Sequence, residues 1–535
     1  MIKKILLLLL FIVIVFSMLI FTACGRGNVD TNGITDQIEV ITPPGGTGLV
    51  DDIEYIPEVI PDPPLIIIPM FDEHVVTLDI SPEERTVQGL SRITFTNRTG
   101  VPLETIVIRV FFNAFREGNE PRPYFPGHEH RVYAHVREFG YMDVNYVSID
   151  SSDVGFHLDG TVLIVDPLEP IQPNATIQLN LQYSAFVPPL SHRTGGNPAR
   201  QRPPRSSSMW FGMFLPVVGI YGEDGWYTDL YYPVGTPFFL ELANYEVSIV
   251  TPIRYTVAGT GLRGVSEVIE DTDTLITTFS AHMVRDFAFA IAPYFNHQHV
   301  VTQGGTTIRF YYTSKEIPFR AVMDFAKNAV EYFENRVGHF PLRHISIIET
   351  DLLQDMHDSM SFDFSQVIFV DSNSLRQGNF HGLAQGIGNQ WFSTVVGSNR
   401  IETPWLTEGL TRFVRAGIFY PTYEELRAHI EAEHATIVGI DNINLTDNLS
   451  VYTSRTHFAQ AQGRRAMVML YALERRMGED DFWKLIRQYY QEFSFEIATA
   501  DDFIRIAEEI YGGNLNMFFN QWKTGRVPPL PVSMI

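Results

Sequence analysis

Apolar and polar residues alternate along much of the chain between residues 70 and 304. The alternation is clearest in Ile177, Leu179, Leu181 and Tyr183, with Gln178, Asn180 and Gln182 between them. A period of two puts one set of side chains on one face of a strand, so this region is predicted to be β-rich and built from many antiparallel strands. Ile106, Ile108, Val110 and Phe112 repeat the pattern, and residues 97–100 supply a turn. Past about residue 305 the period changes. After a strand at 307–313, Phe319, Val322, Met323, Ala326, Val330, Phe333 and Val337 fall on three-and-four spacing, which marks an amphipathic helix. Strands at 345–350 and 367–371 follow, and after them only helices. One opens at Thr403-Pro404, one carries the capping pair Thr422 and Glu425, two run over 461–476 and 480–492, and one starts with Thr499 and Asp502.

The N-terminus fits neither period. Lys3 and Lys4 precede an apolar run over 5–21 that ends at Thr22-Ala23-Cys24-Gly25, the layout of an export signal. Its end resembles the lipobox of bacterial lipoproteins, in which a Cys after a small residue is lipidated and becomes the mature N-terminus. The resemblance implies a signal peptide at 1–23, lipidation at Cys24, and a protein held at the cell membrane on its extracytoplasmic face. An uncleaved anchor is the other reading, since about 17–25 apolar residues can cross a bilayer. Residues 24–69 are rich in Gly and Pro among scattered Asp and Glu, and are expected to form a disordered linker.

Composition narrows the function. The 535 residues exceed what one ordinary core accommodates, and 45% apolar with 19% charged side chains mark a globular chain. A net charge of −23 argues against a nucleic-acid partner, which requires clustered cations. Cys24 is the only cysteine, which removes intramolecular disulfides and Cys-based metal sites. The stretch 191–208 holds Arg193, Arg200, Arg202 and Arg205 without an acidic residue, either an anion site or a solvated basic loop.

Phe380, Leu383, Ala384, Ile387 and Trp391 form an apolar helical stripe, which alone indicates packing. With His381 to Phe392 around it and Trp405-Leu-Thr-Glu408-Gly409 after it, the segment resembles the zinc-peptidase core of the membrane alanyl aminopeptidase family, thermolysin-like aminopeptidases that include leukotriene hydrolase. The stretches 226–261, 288–295 and 478–483 are similar to that family as well. The resemblance implies a multi-domain β + α chain: a β-rich, saddle-like N-terminal domain over 70–304 and a mainly helical thermolysin-like peptidase domain over 305–535.

In that family a helix carries His-Glu-x-x-His, and eighteen residues separate its second His from a Glu. Two His at i and i+4 share a helical face and bind zinc, and the Glu between them is the base for a metal-bound water. Here eighteen residues separate Asn389 from Glu408, so the register is kept, but Gln385 and Asn389 stand at the His positions and Gly386 at the base. Ser361 takes the place of the Glu that binds the substrate amine, and Gln462 lies where the oxyanion-stabilising Tyr belongs. Of the ligands only Glu408 remains.

The resemblance therefore implies a peptidase fold with a degenerate, zinc-free and inactive site, left to bind a peptide or protein in its cleft or to act as a scaffold. The competing reading is an active zinc aminopeptidase with atypical ligands. Candidates for that role are His381, one turn before Gln385, as a metal ligand with Glu408, and Asp363 as a shifted amine-binding carboxylate, with His357 and Asp358 close by. Glu408 also has a plain reading as an i,i+4 ion pair with Arg412.

Overall fold

In the computed structural model, which describes residues 71–133, 138–197, 208–352 and 361–530, the longest alternating run is the strand Thr176–Phe186. Ile177, Leu179, Leu181 and Tyr183 all point inward from it. It lies in an eight-stranded sheet whose spatial order is Leu262–Ile269, Thr274–Val284, Ala243–Pro252, Asp72–Ser81, Thr86–Thr96, Thr176–Phe186, Tyr141–Ile149 and Ser152–Asp153. Asp72–Ser81 runs parallel to Ala243–Pro252, and the other pairings are antiparallel. Two four-stranded sheets pack with it. One of them contains Ile106–Arg109, where alternation was expected and every residue is instead buried. That strand sits between Val217–Val218 and Val162–Asp166, and the chain leaves it into a short 3-10 turn, Phe111–Phe115, so neither face meets solvent.

A five-stranded sheet begins the second half, in the order Asn296–Val301, Thr307–Tyr312, His344–Thr350, Val367–Asp371, Ser361–Phe364. The helix Phe319–Arg336 crosses over between the parallel strands Thr307–Tyr312 and His344–Thr350, and buries Val322, Met323, Ala326, Val330 and Phe333 as its spacing predicts. Helices then follow as expected: Trp405–Phe419, Tyr423–Ala435, Ala466–Met477, Glu479–Glu492 and Ala500–Tyr511. Both expected capping boxes form, Thr422 with Glu425 and Thr499 with Asp502. The edge strand Ser361–Phe364 was not evident from periodicity, because four residues are too few to show one.

The two halves meet on a dry seam of Phe111, Trp210, Phe238, Tyr311, Phe362 and Phe369. Arg285 fastens the seam near the site. It is buried, and donates from Nε to Thr394 O at 3.1 Å, from Nη1 to Leu240 O at 3.2 Å and from Nη2 to Glu496 O at 2.9 Å. Arg193, expected in a basic loop, is also buried, and donates to Gly235 O at 2.6 Å with its guanidinium 4.5 Å from the Phe362 ring. The export signal, Cys24, the linker, Arg200, Arg202, Arg205, His357 and Asp358 lie outside the described residues.

Candidate functional site

The helix His381–Asn389 holds Gly382, Gly386 and Gly388, each costing about 1 kcal/mol relative to Ala in a helix interior. Close packing accounts for two of them. A Cβ on Gly386 would lie 2.5 Å from Ile368 Cγ2, and one on Gly388 would lie 2.6 Å from Phe333 Cζ and 2.7 Å from Thr411 Cγ2. The helix is thereby pressed against Val367–Asp371 on one side and against its helical neighbours on the other. Past Asn389 it widens into a π-helical stretch, Gln390–Val395, in which Phe392 leaves helical geometry. Gln390 ties this bend to the sheet, donating to Phe364 O at 3.1 Å and accepting from the Gln366 N–H at 2.9 Å.

Beside the edge strand Ser361–Phe364, Gln385 meets both Asn389, one turn on in its own helix, and Glu408 from the first turn of Trp405–Phe419. Gln385 Nε2 lies 3.4 Å from Glu408 Oε2 and 3.5 Å from Asn389 Oδ1. Both amide oxygens have strong donors: Arg415 Nε donates to Gln385 Oε1 at 2.7 Å, and Thr411 Oγ1 to Asn389 Oδ1 at 2.7 Å. Asn389 Nδ2 donates to Asp363 Oδ1 at 2.9 Å, so the carboxylate singled out as a shifted anchor does join the group. Arg400 closes it, 3.5 Å from Asp363 Oδ2 and 3.9 Å from Glu408 Oε1. Burial pushes the Glu408 carboxyl above its ordinary value, with Arg400 the largest opposing influence.

The remaining sequence candidates are placed apart. His381 is exposed and lies against the Phe419 ring, centroids 4.0 Å apart. Ser361 Oγ donates to Gly382 O at 2.8 Å. Gln462 is buried in the π-helical stretch Ala459–Arg465, its Nε2 donating to Asn444 O and Asp447 O at 3.0 Å each and to the Tyr452 hydroxyl. The expected Glu408–Arg412 pair gives way to another: Arg412 Nη2 lies 3.2 Å from Glu433 Oε2, which Arg464 Nε also reaches at 2.7 Å. An i,i+4 spacing made the contact available, and a carboxylate on the next helix took it.

Sequence reasoning missed Arg400, Arg285 and Asp286. Its one available signal was Arg285-Asp286 standing just before the apolar run 287–292. Asp286, Asp363, Arg285 and Arg400 line a small cavity beside the cluster, with Ser365 and Ser393. Asp286 accepts the Ser365 N–H at 2.9 Å, and burial pushes its carboxyl up to about 7, the nearby Asp363 raising it further while Ser365 and Arg400 act against the shift. The folded chain therefore holds this proton up to about pH 7 while the unfolded chain releases it near pH 4. The folded state binds more protons across that window, so this group's contribution to stability falls as pH rises through it and is constant above. Asp286→Asn removes the penalty and still accepts the Ser365 N–H. Its melting temperature relative to the parent should gain about 2–4 °C more at pH 8 than at pH 5; equal offsets at the two pH values in thermal melts would contradict the assignment.

The comparisons with known proteins bear on this helical half first. Residues 323–522 match the model of the Peptidase family M1 domain. Among curated relatives, Probable aminopeptidase 2 from Sulfurisphaera tokodaii is 23% identical over 218 residues, covering 38% of this chain and 28% of its own length. Tricorn protease-interacting factor F2 from Thermoplasma volcanium is 22% identical over 225 residues, covering 39% and 29%. The chain thus matches under a third of the length of either. The fold agrees more widely. An M1 zinc metallopeptidase from Deinococcus radiodurans superposes with a TM-score of 0.64 at 16% identity, covering 87% of this chain and 96% of that one. A mutant of a two-domain M1 zinc metallopeptidase bound to L-arginine does so with a TM-score of 0.64 at 16% identity, covering 86% and 96%. A β-rich N-terminal region followed by a helical C-terminal region is therefore the two-domain M1 architecture expected from the sequence.

Zinc is the metal of those structures, and its protein ligands are imidazole, thiolate or carboxylate. The positions in helical register offer two neutral amides whose oxygens already accept from Arg415 and Thr411, and one carboxylate that faces a guanidinium. Among the described residues no group of three or more His, Cys, Asp or Glu could hold a metal ion. This donor set does not fit zinc.

Proposed function

We propose that the protein is a lipid-anchored, extracytoplasmic member of the M1 metallopeptidase-like group whose site is zinc-free and without peptidase activity, and that it acts by binding or scaffolding in the cleft between its β-rich and helical regions. The observation that carries this reading is the network of hydrogen bonds and ion pairs at the position in helical register with the family's metal site. Gln385, Asn389, Thr411, Asp363, Glu408, Arg415 and Arg400 are linked to one another by hydrogen bonds and ion pairs, and the positions in register supply neutral amides for ligands and no base. Peptide hydrolysis by the family route needs an activated water and a group to take its proton, and Gly386 offers none. The lipid anchor rests on the sequence alone, on Cys24 at the end of the apolar run.

The reading is tested on the full chain purified in detergent, equilibrated with zinc, dialysed, and analysed for metal while aminoacyl fluorogenic substrates are assayed on the same sample. Expected are no retained zinc and no turnover, and by mass spectrometry a mature chain that begins at a lipid-modified Cys24. Near-stoichiometric zinc with chelator-sensitive turnover would establish instead an active aminopeptidase with atypical ligands.

A further inference from the structure

At a metal-dependent peptidase site the positive charge that holds the carboxylate in place is the ion itself. Here that charge is present in another form. The Arg400 guanidinium is buried, its side chain 8% exposed, between two carboxylates that come from different elements: Asp363 on the edge strand Ser361–Phe364 at 3.5 Å, and Glu408 on the helix Trp405–Phe419 at 3.9 Å. Two hydroxyls hold it as well. Nη2 donates to Thr236 Oγ1 at 2.8 Å, from the β-rich half, and Nη1 to Ser393 Oγ, from the π-helical bend. The group is therefore held from four segments of chain.

We infer that Arg400 is the resident cation of this site, taking over the charge role of a metal toward Asp363 and Glu408 and excluding divalent ions independently of the lost imidazoles. The inference rests on the zinc-free reading above and goes further, because it makes restoration of the two His side chains insufficient. A divalent ion ligated by Glu408 would lie beside the buried Arg400 guanidinium, where the repulsion between the two is poorly screened. The guanidinium is also planar and forked, so it can address two carboxylates at once, which an ammonium in the same position would not.

The test compares zinc retention by the full chain in three forms: parent, Gln385→His with Asn389→His, and the same pair with Arg400→Gln. Circular dichroism checks that each is folded, and Arg400→Met, whose stem fills the same space, serves if the Gln form does not fold. The parent and the two-His chain are expected to retain no zinc, and the chain that also lacks Arg400 to bind it more tightly by about tenfold or more. Equal zinc affinity with and without Arg400 in the two-His background overturns the inference, as does a folded Arg400-free chain that binds no zinc. Stoichiometric zinc on the parent itself would instead overturn the zinc-free reading, so the two failures are distinguishable.

Discussion

Replacing Arg465 by Leu is expected to destabilise the chain by about 3–5 kcal/mol. Arg465 is fully buried and has no carboxylate partner among its hydrogen bonds. Nε donates to Trp522 O at 2.7 Å, Nη1 to Ile443 O at 2.9 Å and Gly525 O at 2.8 Å, and Nη2 to Thr524 O at 2.9 Å. Three of these carbonyls belong to the end of the helix Asn516–Lys523 and the residues just after it. Helix C-termini leave such carbonyls without intrahelical donors and carry partial negative charge, so one guanidinium caps the helix and neutralises its end together. Burial lowers the group's pKa only to about 10, so it remains charged at neutral pH. Leu would fill much of the volume and leave four acceptors with no donor, a cost of about 1–3 kcal/mol each before relaxation. Arg427→Leu is the comparator, because it removes only an exposed i,i+4 pair with Glu431 and should cost a few tenths of a kcal/mol. Denaturant midpoints measured side by side decide the matter, and an Arg465→Leu chain as robust as Arg427→Leu would refute the capping role.

What could be read from the sequence divides along the range of the interaction. Ile177 to Tyr183 and Phe319 to Val337 were legible because their burial follows a local period that one element imposes on its own residues. Ile106–Arg109 was misjudged because full burial on two faces comes from neighbours far off in sequence, Val217–Val218 and Val162–Asp166. At the site, i,i+4 geometry and a kept interval of eighteen residues were enough to bring Gln385, Asn389 and Glu408 together. The partners that saturate them were not legible. Arg400 meets Asp363 and Thr236, and Arg412 prefers Glu433 to Glu408, choices that no local window contains. Gly382, Gly386 and Gly388 stand in the sequence as a cost within a helix, but no local window names the residue that each packs against.

For Gly386 that residue is Ile368, and it is expected to block any larger side chain at that position, a carboxylate included. Gly386→Glu should abolish folding or leave a chain destabilised by several kcal/mol, because the new side chain would meet the fully buried strand Val367–Asp371 and carry an unpaired charge into it. The steric part can be isolated with Gly386→Ala. Helix propensity alone would make Ala stabilising by about 1 kcal/mol. A Cβ placed 2.5 Å from Ile368 Cγ2 reverses the sign and should cost about 1–3 kcal/mol, since the helix has little room to retreat while Gly388 is pressed against Phe333 and Thr411. Ile368→Ala removes the opposing methyl at a cavity cost of its own, about 2–5 kcal/mol. Combined with Gly386→Ala it should cost less than the two added together, since each change makes room for or fills what the other alters. Denaturant midpoints of the four chains give that coupling, and additive losses, or a Gly386→Ala chain more stable than the parent, would refute it. If the coupling is found, the absence of a side chain at position 386 is fixed in the contact between helix and sheet, and on the zinc-free reading proposed above a base could be placed there only by repacking a buried strand first.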